Sequence, residues 1–140
     1  MNHSLWHTVT AQLDHQGYAV LAQQDGLRWC EAAGTAAECL AVASSLGQGE
    51  CLPLQLAGGP GLFPFVLIAL LSVPDVDFTG GECVMTEQRP RRQSRALVVP
   101  LCKGDALIIH AGKRPGALRY GISTVRSGRR NSTLFTWKLP

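Results

Sequence analysis

Phe65-Val66-Leu67-Ile68-Ala69-Leu70-Leu71, then Asp77-Phe78-Thr79-Gly80-Gly81-Glu82, then Val99-Pro100-Leu101-Cys102-Lys103-Gly104-Asp105-Ala106, decide the fold class of this 140-residue chain. The first is an apolar run rich in β-formers between Pro64 and Pro74, short enough to suit a buried strand. Gly80-Gly81 supplies a turn, Glu82 to Thr86 alternates in polarity, and Ala96 to Val99 favours a strand. Lys103-Gly104-Asp105 makes another turn before the apolar Ala106-Leu107-Ile108-Ile109. Short strands at this spacing predict a sandwich or barrel from Phe63 to Pro140.

Towards the N-terminus, Ser4 can cap a helix in which Leu5, Val9 and Leu13 recur every four residues. Gly17 stands where a left-handed residue would end it, and Tyr18-Ala19-Val20-Leu21 is the strand it leads into. Beyond a polar turn at Gln23 to Gly26, Thr35 can cap a second helix over Ala36 to Leu46, closed by Gly47. Its apolar positions are Leu40, Val42 and Leu46; Gln48 to Gly61, rich in Gly and Pro, is expected to be a loop. The chain is expected to form a single domain over 1–140, with a helix-and-strand buttress over 1–50 and a β core over 51–140.

A hydrophobic share of 46% argues for a packed globule and against a disordered chain. Charge is split along the sequence: one basic residue, Arg28, stands against nine acidic ones before Arg89, and twelve basic residues against Asp105 alone from there on. Either the two parts neutralise each other in the fold, or the basic part faces a polyanion. The five cysteines contain no Cys-x-x-Cys pair and no zinc spacing, and an odd count suits a reducing, cytoplasmic setting. Cys83 and Cys102 are expected to be buried small hydrophobes. The longest apolar run, Leu62 to Val73, is too short for a membrane helix, and residues 1–10 lack the apolar core of a signal peptide.

The order of the apolar strand, Phe78-Thr79-Gly80-Gly81-Glu82, Val99-Pro100 with Gly104-Asp105-Ala106, then Tyr120-Gly121-Ile122-Ser123 and Ser127-Gly128-Arg129-Arg130, resembles the core of the 2-oxoglutarate and iron(II) dependent oxygenases. The likeness is nearest to their prolyl-hydroxylase-like bacterial members and covers roughly the C-terminal half. It implies a mainly β fold, a double-stranded β-helix with one or two N-terminal helices. The short connection from Pro115 to Tyr120 further suggests a truncated barrel, either lacking one strand or open on that side. In that family a His-x-Asp pair and a distant His hold iron, and an Arg or Lys about ten residues past that His grips the far carboxylate of 2-oxoglutarate.

Carried over residue by residue, the resemblance makes Arg130, ten positions after Tyr120, the 2-oxoglutarate anchor, with Ser132 adding a hydroxyl. A guanidinium suits a carboxylate because it offers a planar pair of donors. The iron-ligand positions fall at Pro53, Gln55 and Tyr120, and no His in the chain is followed two residues later by Asp or Glu. The family's metal is therefore expected to be lost, with His110 as the fallback ligand; Glu82 is read as structural. Arg89, Arg91, Arg92 and Arg95 form an arginine-rich stretch able to meet substrate, a small anion or a phosphate backbone. Three functions follow as expectations: a dioxygenase, a degenerate anion-binding or regulatory module, or a basic nucleic-acid-binding protein.

Overall fold

The computed structural model describes residues 3–22, 39–56, 62–87, 95–110 and 118–138. In chain order they form α1 (His3–Gln16), β1 (Tyr18–Leu21), β2 (Cys39–Gly47), β3 (Leu52–Leu56), β4 (Leu62–Leu70), β5 (Phe78–Gly80), β6 (Cys83–Glu87), β7 (Arg95–Val99), β8 (Ala106–His110), β9 (Leu118–Ile122) and β10 (Val125–Lys138). The strands make a six-stranded sheet in the order β1-β8-β4-β10-β2, with β5 also on β10, and a four-stranded sheet in the order β3-β9-β6-β7. Two facing antiparallel sheets with this interleaved order are the double-stranded β-helix.

The period-two alternation of each strand sorts its side chains to the two faces of the larger sheet. Val66, Ile68 and Leu70 of β4 and Leu107 and Ile109 of β8 face the smaller sheet, where they meet Met85, Val99 and Tyr120, with Val125 of β10 in the same cluster. Leu67, Ala69, Ala106 and Ile108 face the other way and are covered by Val9 and Leu13 of α1. The helix ends as its sequence predicts: the Gly17 N–H bonds the Leu13 carbonyl at 3.0 Å with φ at 83°, and the chain turns directly into β1. Ser4 falls within the first turn of α1 and not ahead of it.

Several expectations are corrected, among them the burial of Cys102, which is exposed where Cys83 is buried. The segment read as a second helix, Ala36 to Leu46, is strand β2 from Cys39 onward, paired residue for residue with β10 from Cys39↔Trp137 to Gly47↔Arg129. Its Ala and Leu content favours a helix locally, but a long unpaired edge of β10 offers a full ladder of backbone hydrogen bonds, and tertiary pairing overrides propensity. Val42, placed on the apolar stripe of that helix, is exposed. The loop expected from Gln48 to Gly61 contains β3, and the strand expected to be missing is present: β2, β10, β4 and β8 face β3, β9, β6 and β7. The β4 strand also begins before Pro64, whose missing N–H is accommodated where the β4–β10 register shifts between Thr136 and Lys138.

Candidate carboxylate-binding site

The β10 strand passes through the centre of the larger sheet, and its alternation turns Arg130 and Ser132 inward. Arg130 is 1% exposed, an unusual burial for a cation, because an isolated charge loses its hydration there. Its Nη2 donates to Cys83 Sγ at 3.3 Å, and its Cζ lies 5.8 Å from the centroid of the Phe78 ring. Nε and Nη1 are buried with no hydrogen-bond partner. Burial pushes the guanidinium pKa below its usual range, against the opposing pull of Cys83; burial likewise pushes the Cys83 thiol up, against the opposing effect of Arg130.

Local sequence explains how this arrangement is held. Cys83 opens β6 and pairs with both Val99 and Ile122, so its thiol is fixed from two sides. Phe78 pairs with Gly128 two residues before Arg130 on β10, so one strand carries both the cation and the backbone that seats its aromatic cover. Gly128 has φ at 76°, and a Cβ there would collide with the Asp77 carbonyl, which accepts the Arg129 N–H at 2.9 Å. A Cβ at Gly81 would stand 3.0 Å from Arg130 Cδ and 3.3 Å from Phe78, so the glycine leaves room for the arginine stem.

A solvent-open cavity of about 650 Å³ reaches this side chain. Leu70, Phe78, Gly81, Cys83, Val99 and Leu101 surround Arg130 in it, and the exposed Asp75, Glu82, Val98, Pro100 and Arg126 form its outer part.

The positions matched to iron ligands come together only in part. Gln55 and Tyr120 are direct Cα partners across β3 and β9, whereas Pro53 is exposed in the irregular part of that ladder between Leu52 and Gln55. Tyr120 points into the core, and burial pushes its phenol pKa up, keeping it protonated. His110 ends β8, where alternation puts it on the α1 side with Ala106 and Ile108, away from Arg130. Glu82 is exposed, and its backbone clamps β6 to β9: its N–H donates to Ser123 Oγ at 2.8 Å, and its carbonyl accepts the Ser123 N–H at 2.9 Å. Among the described residues no three His, Cys, Asp or Glu side chains group as a metal centre.

Arg89, Arg91 and Arg92 lie outside the described residues; Arg95 opens β7 with its backbone opposite Glu87. Exposed arginines that the sequence reading did not single out are Arg119 and Arg126; Arg129, quoted there beside Arg130, is exposed as well. It also missed Cys83 as a partner of Arg130, since the two are 47 residues apart and nothing local to either signals the contact.

Comparison with known proteins places this geometry. Solved structures with the same fold include a 2OG-Fe(II) oxygenase family oxidoreductase from Burkholderia pseudomallei, at TM-score 0.66 and 15% identity over 98% of this chain and 91% of that one. A Pseudomonas putida prolyl-4-hydroxylase superposes at TM-score 0.68 with 11% identity, covering 99% of this chain and 97% of that one. An uncharacterised protein found in two strains of Mycobacterium tuberculosis is 35% identical over 116 residues, 76% of this chain and 49% of the relative. The chain thus spans about half the length of the curated relatives it matches. The Oxygenase-NA family model, described as oxygenases catalysing oxidative methylation of damaged DNA, matches residues 20–137. With that match running through nearly every strand of both sheets, the chain belongs to this oxygenase family.

Proposed function

We propose that this protein binds a small carboxylate, of which 2-oxoglutarate is the family's example, on Arg130, and does so without iron, as a degenerate member acting as a binding or regulatory module. The observation that carries this reading is the orphaned guanidinium: Nε and Nη1 are buried without a partner, beside an open cavity. Each unmade buried hydrogen bond costs about 1–3 kcal/mol, so an anion that supplied an acceptor to either nitrogen would recover energy the ligand-free fold forgoes. Nη2 keeps a second proton besides the one given to Cys83, and that proton forms a two-pronged edge with whichever of Nε and Nη1 lies on its side. The thiol fixes the roll of the guanidinium, Phe78 flanks it, and the apolar residues around it lower the local dielectric, which strengthens an ion pair.

The iron(II) implied by the family is a poor fit to the residues at its positions. Gln55 offers a neutral amide, Pro53 has no side-chain donor, and Tyr120 is a buried phenol kept protonated. Iron(II) in non-haem oxygenases calls for imidazole and carboxylate donors with open positions. Anaerobic calorimetry with 2-oxoglutarate on metal-free protein, repeated with manganese(II) and with Arg130→Met, tests the reading. Binding without metal that disappears in Arg130→Met supports it; binding that requires the metal overturns the metal-free part.

A second reading, contact with nucleic acid, draws on the family's description as acting on damaged DNA and on the exposed Arg119, Arg126 and Arg129.

A further inference from the structure

We infer that carboxylates enter this site from the end of the barrel formed by the β5–β6 and β7–β8 connections, opposite Tyr120, and that the site selects a singly charged carboxylate with a short apolar body over a dicarboxylate. The inference rests on the carboxylate reading of Arg130 and adds the direction of entry and the class of ligand.

The direction follows from which strand ends line the cavity. Leu70 closes β4, Val98 and Val99 close β7 and Cys83 opens β6, and all three ends lie at one end of the barrel. The other end begins one side-chain repeat away: Cys83 pairs with Ile122, and the next inward pair along the same ladder is Met85 with Tyr120, the residue also opposite Gln55. Two residues of strand span about 7 Å. Met85 and Tyr120 are buried in the packed core with Ile68 and Leu107, and neither they nor Gln55 line the cavity. Packed side chains therefore separate Arg130 from the Gln55–Tyr120 pair, while on the opposite side the buried guanidinium borders the cavity, whose outer part opens to solvent.

The ligand class follows from charge and lining. Arg130 is the cation within the cavity, and its neighbours Leu70, Phe78, Val99 and Leu101 suit an aliphatic or aromatic body. Among the described residues at the rim Asp75 and Glu82 outnumber Arg126, so a second carboxylate emerging there meets net negative charge from them. A dicarboxylate would lose the apolar contact and face that repulsion.

The test is calorimetry on the metal-free full chain with 4-methyl-2-oxopentanoate and with 2-oxoglutarate. The branched monocarboxylate is expected to bind about tenfold tighter, and replacing both Asp75→Asn and Glu82→Gln to narrow the gap by strengthening 2-oxoglutarate. Val98→Trp, a surface change at a 57% exposed rim position, should weaken binding about tenfold, while Gln55→Trp at the other end should change it less than about twofold. Equal or tighter binding of 2-oxoglutarate overturns the ligand class and leaves the carboxylate reading of Arg130 standing. Loss of binding in Gln55→Trp but not in Val98→Trp overturns the direction of entry. If neither compound binds the wild type, the Arg130 reading falls as well.

Discussion

Replacing Arg130 with Met should make the ligand-free protein more stable while abolishing its response to carboxylates. The side chain is 1% exposed, two of its nitrogens have no partner, and burial pulls its pKa down, so the charge sits where the fold solvates it poorly. Two unmade hydrogen bonds cost about 2–6 kcal/mol together; against this stand the bond to Cys83 and the contact with the Phe78 ring, worth roughly 1–3 kcal/mol between them. Met keeps much of the stem that packs under Gly81, so the cavity term is small. The net expectation is a gain of about 1–3 kcal/mol, which at roughly 3 °C per kcal/mol for a chain of this size raises the melting temperature by about 3–9 °C. Wild type should in turn gain about 1.4 kcal/mol from carboxylate at ten times its dissociation constant, and Arg130→Met nothing. Urea and thermal unfolding with and without ligand measure both effects. A variant destabilised by about 2 kcal/mol or more that still responds to carboxylate would show that the guanidinium is a structural strut, and the reasoning would fail.

Stability should fall as pH rises through about 8.5, because the unfolded thiol of residue 83 ionises there while the buried Cys83 holds its proton. The folded state then binds more protons than the unfolded one, which makes the slope of stability against pH negative; Cys83→Ala should flatten that limb, and an unchanged slope would be evidence against the assignment. Tyr120, raised by burial too, adds the same sign near pH 10. Gly128→Ala should cost about 2–4 kcal/mol in urea unfolding, since its Cβ would meet the Asp77 carbonyl, whereas Gly49→Ala, at φ 84° with open space around it, should cost about 1 kcal/mol. Any nucleic-acid contact through Arg119, Arg126 and Arg129 should weaken steeply between 50 and 200 mM salt by about 10-fold or more in a fluorescence titration, and binding indifferent to salt would remove that reading.

What the sequence alone determined was local in origin. Apolar runs of strand length, glycines at turns and the alternation of Glu82 to Thr86 specified the strands of the C-terminal half, because a pleated half-buried strand and a tight turn each impose their pattern over a few residues. The order of these signals also carried the family resemblance under which Arg130, ten residues beyond Tyr120, is read as a carboxylate anchor. Strand β2 escaped the sequence reading because its Ala, Ser and Leu residues fit a helix as well, and only the open edge of β10 chose between the two. The state of Arg130 was likewise decided by tertiary structure. Cys83 and Phe78 reach it from 47 and 52 positions away through sheet pairing, and two nitrogens stay unpartnered because the acceptor that β6 brings to β10, Cys83 Sγ, takes up only Nη2. Which end of the barrel opens onto that cation depends on how far each strand runs, a property of the register between chains of residues distant in sequence, and no local pattern encodes it.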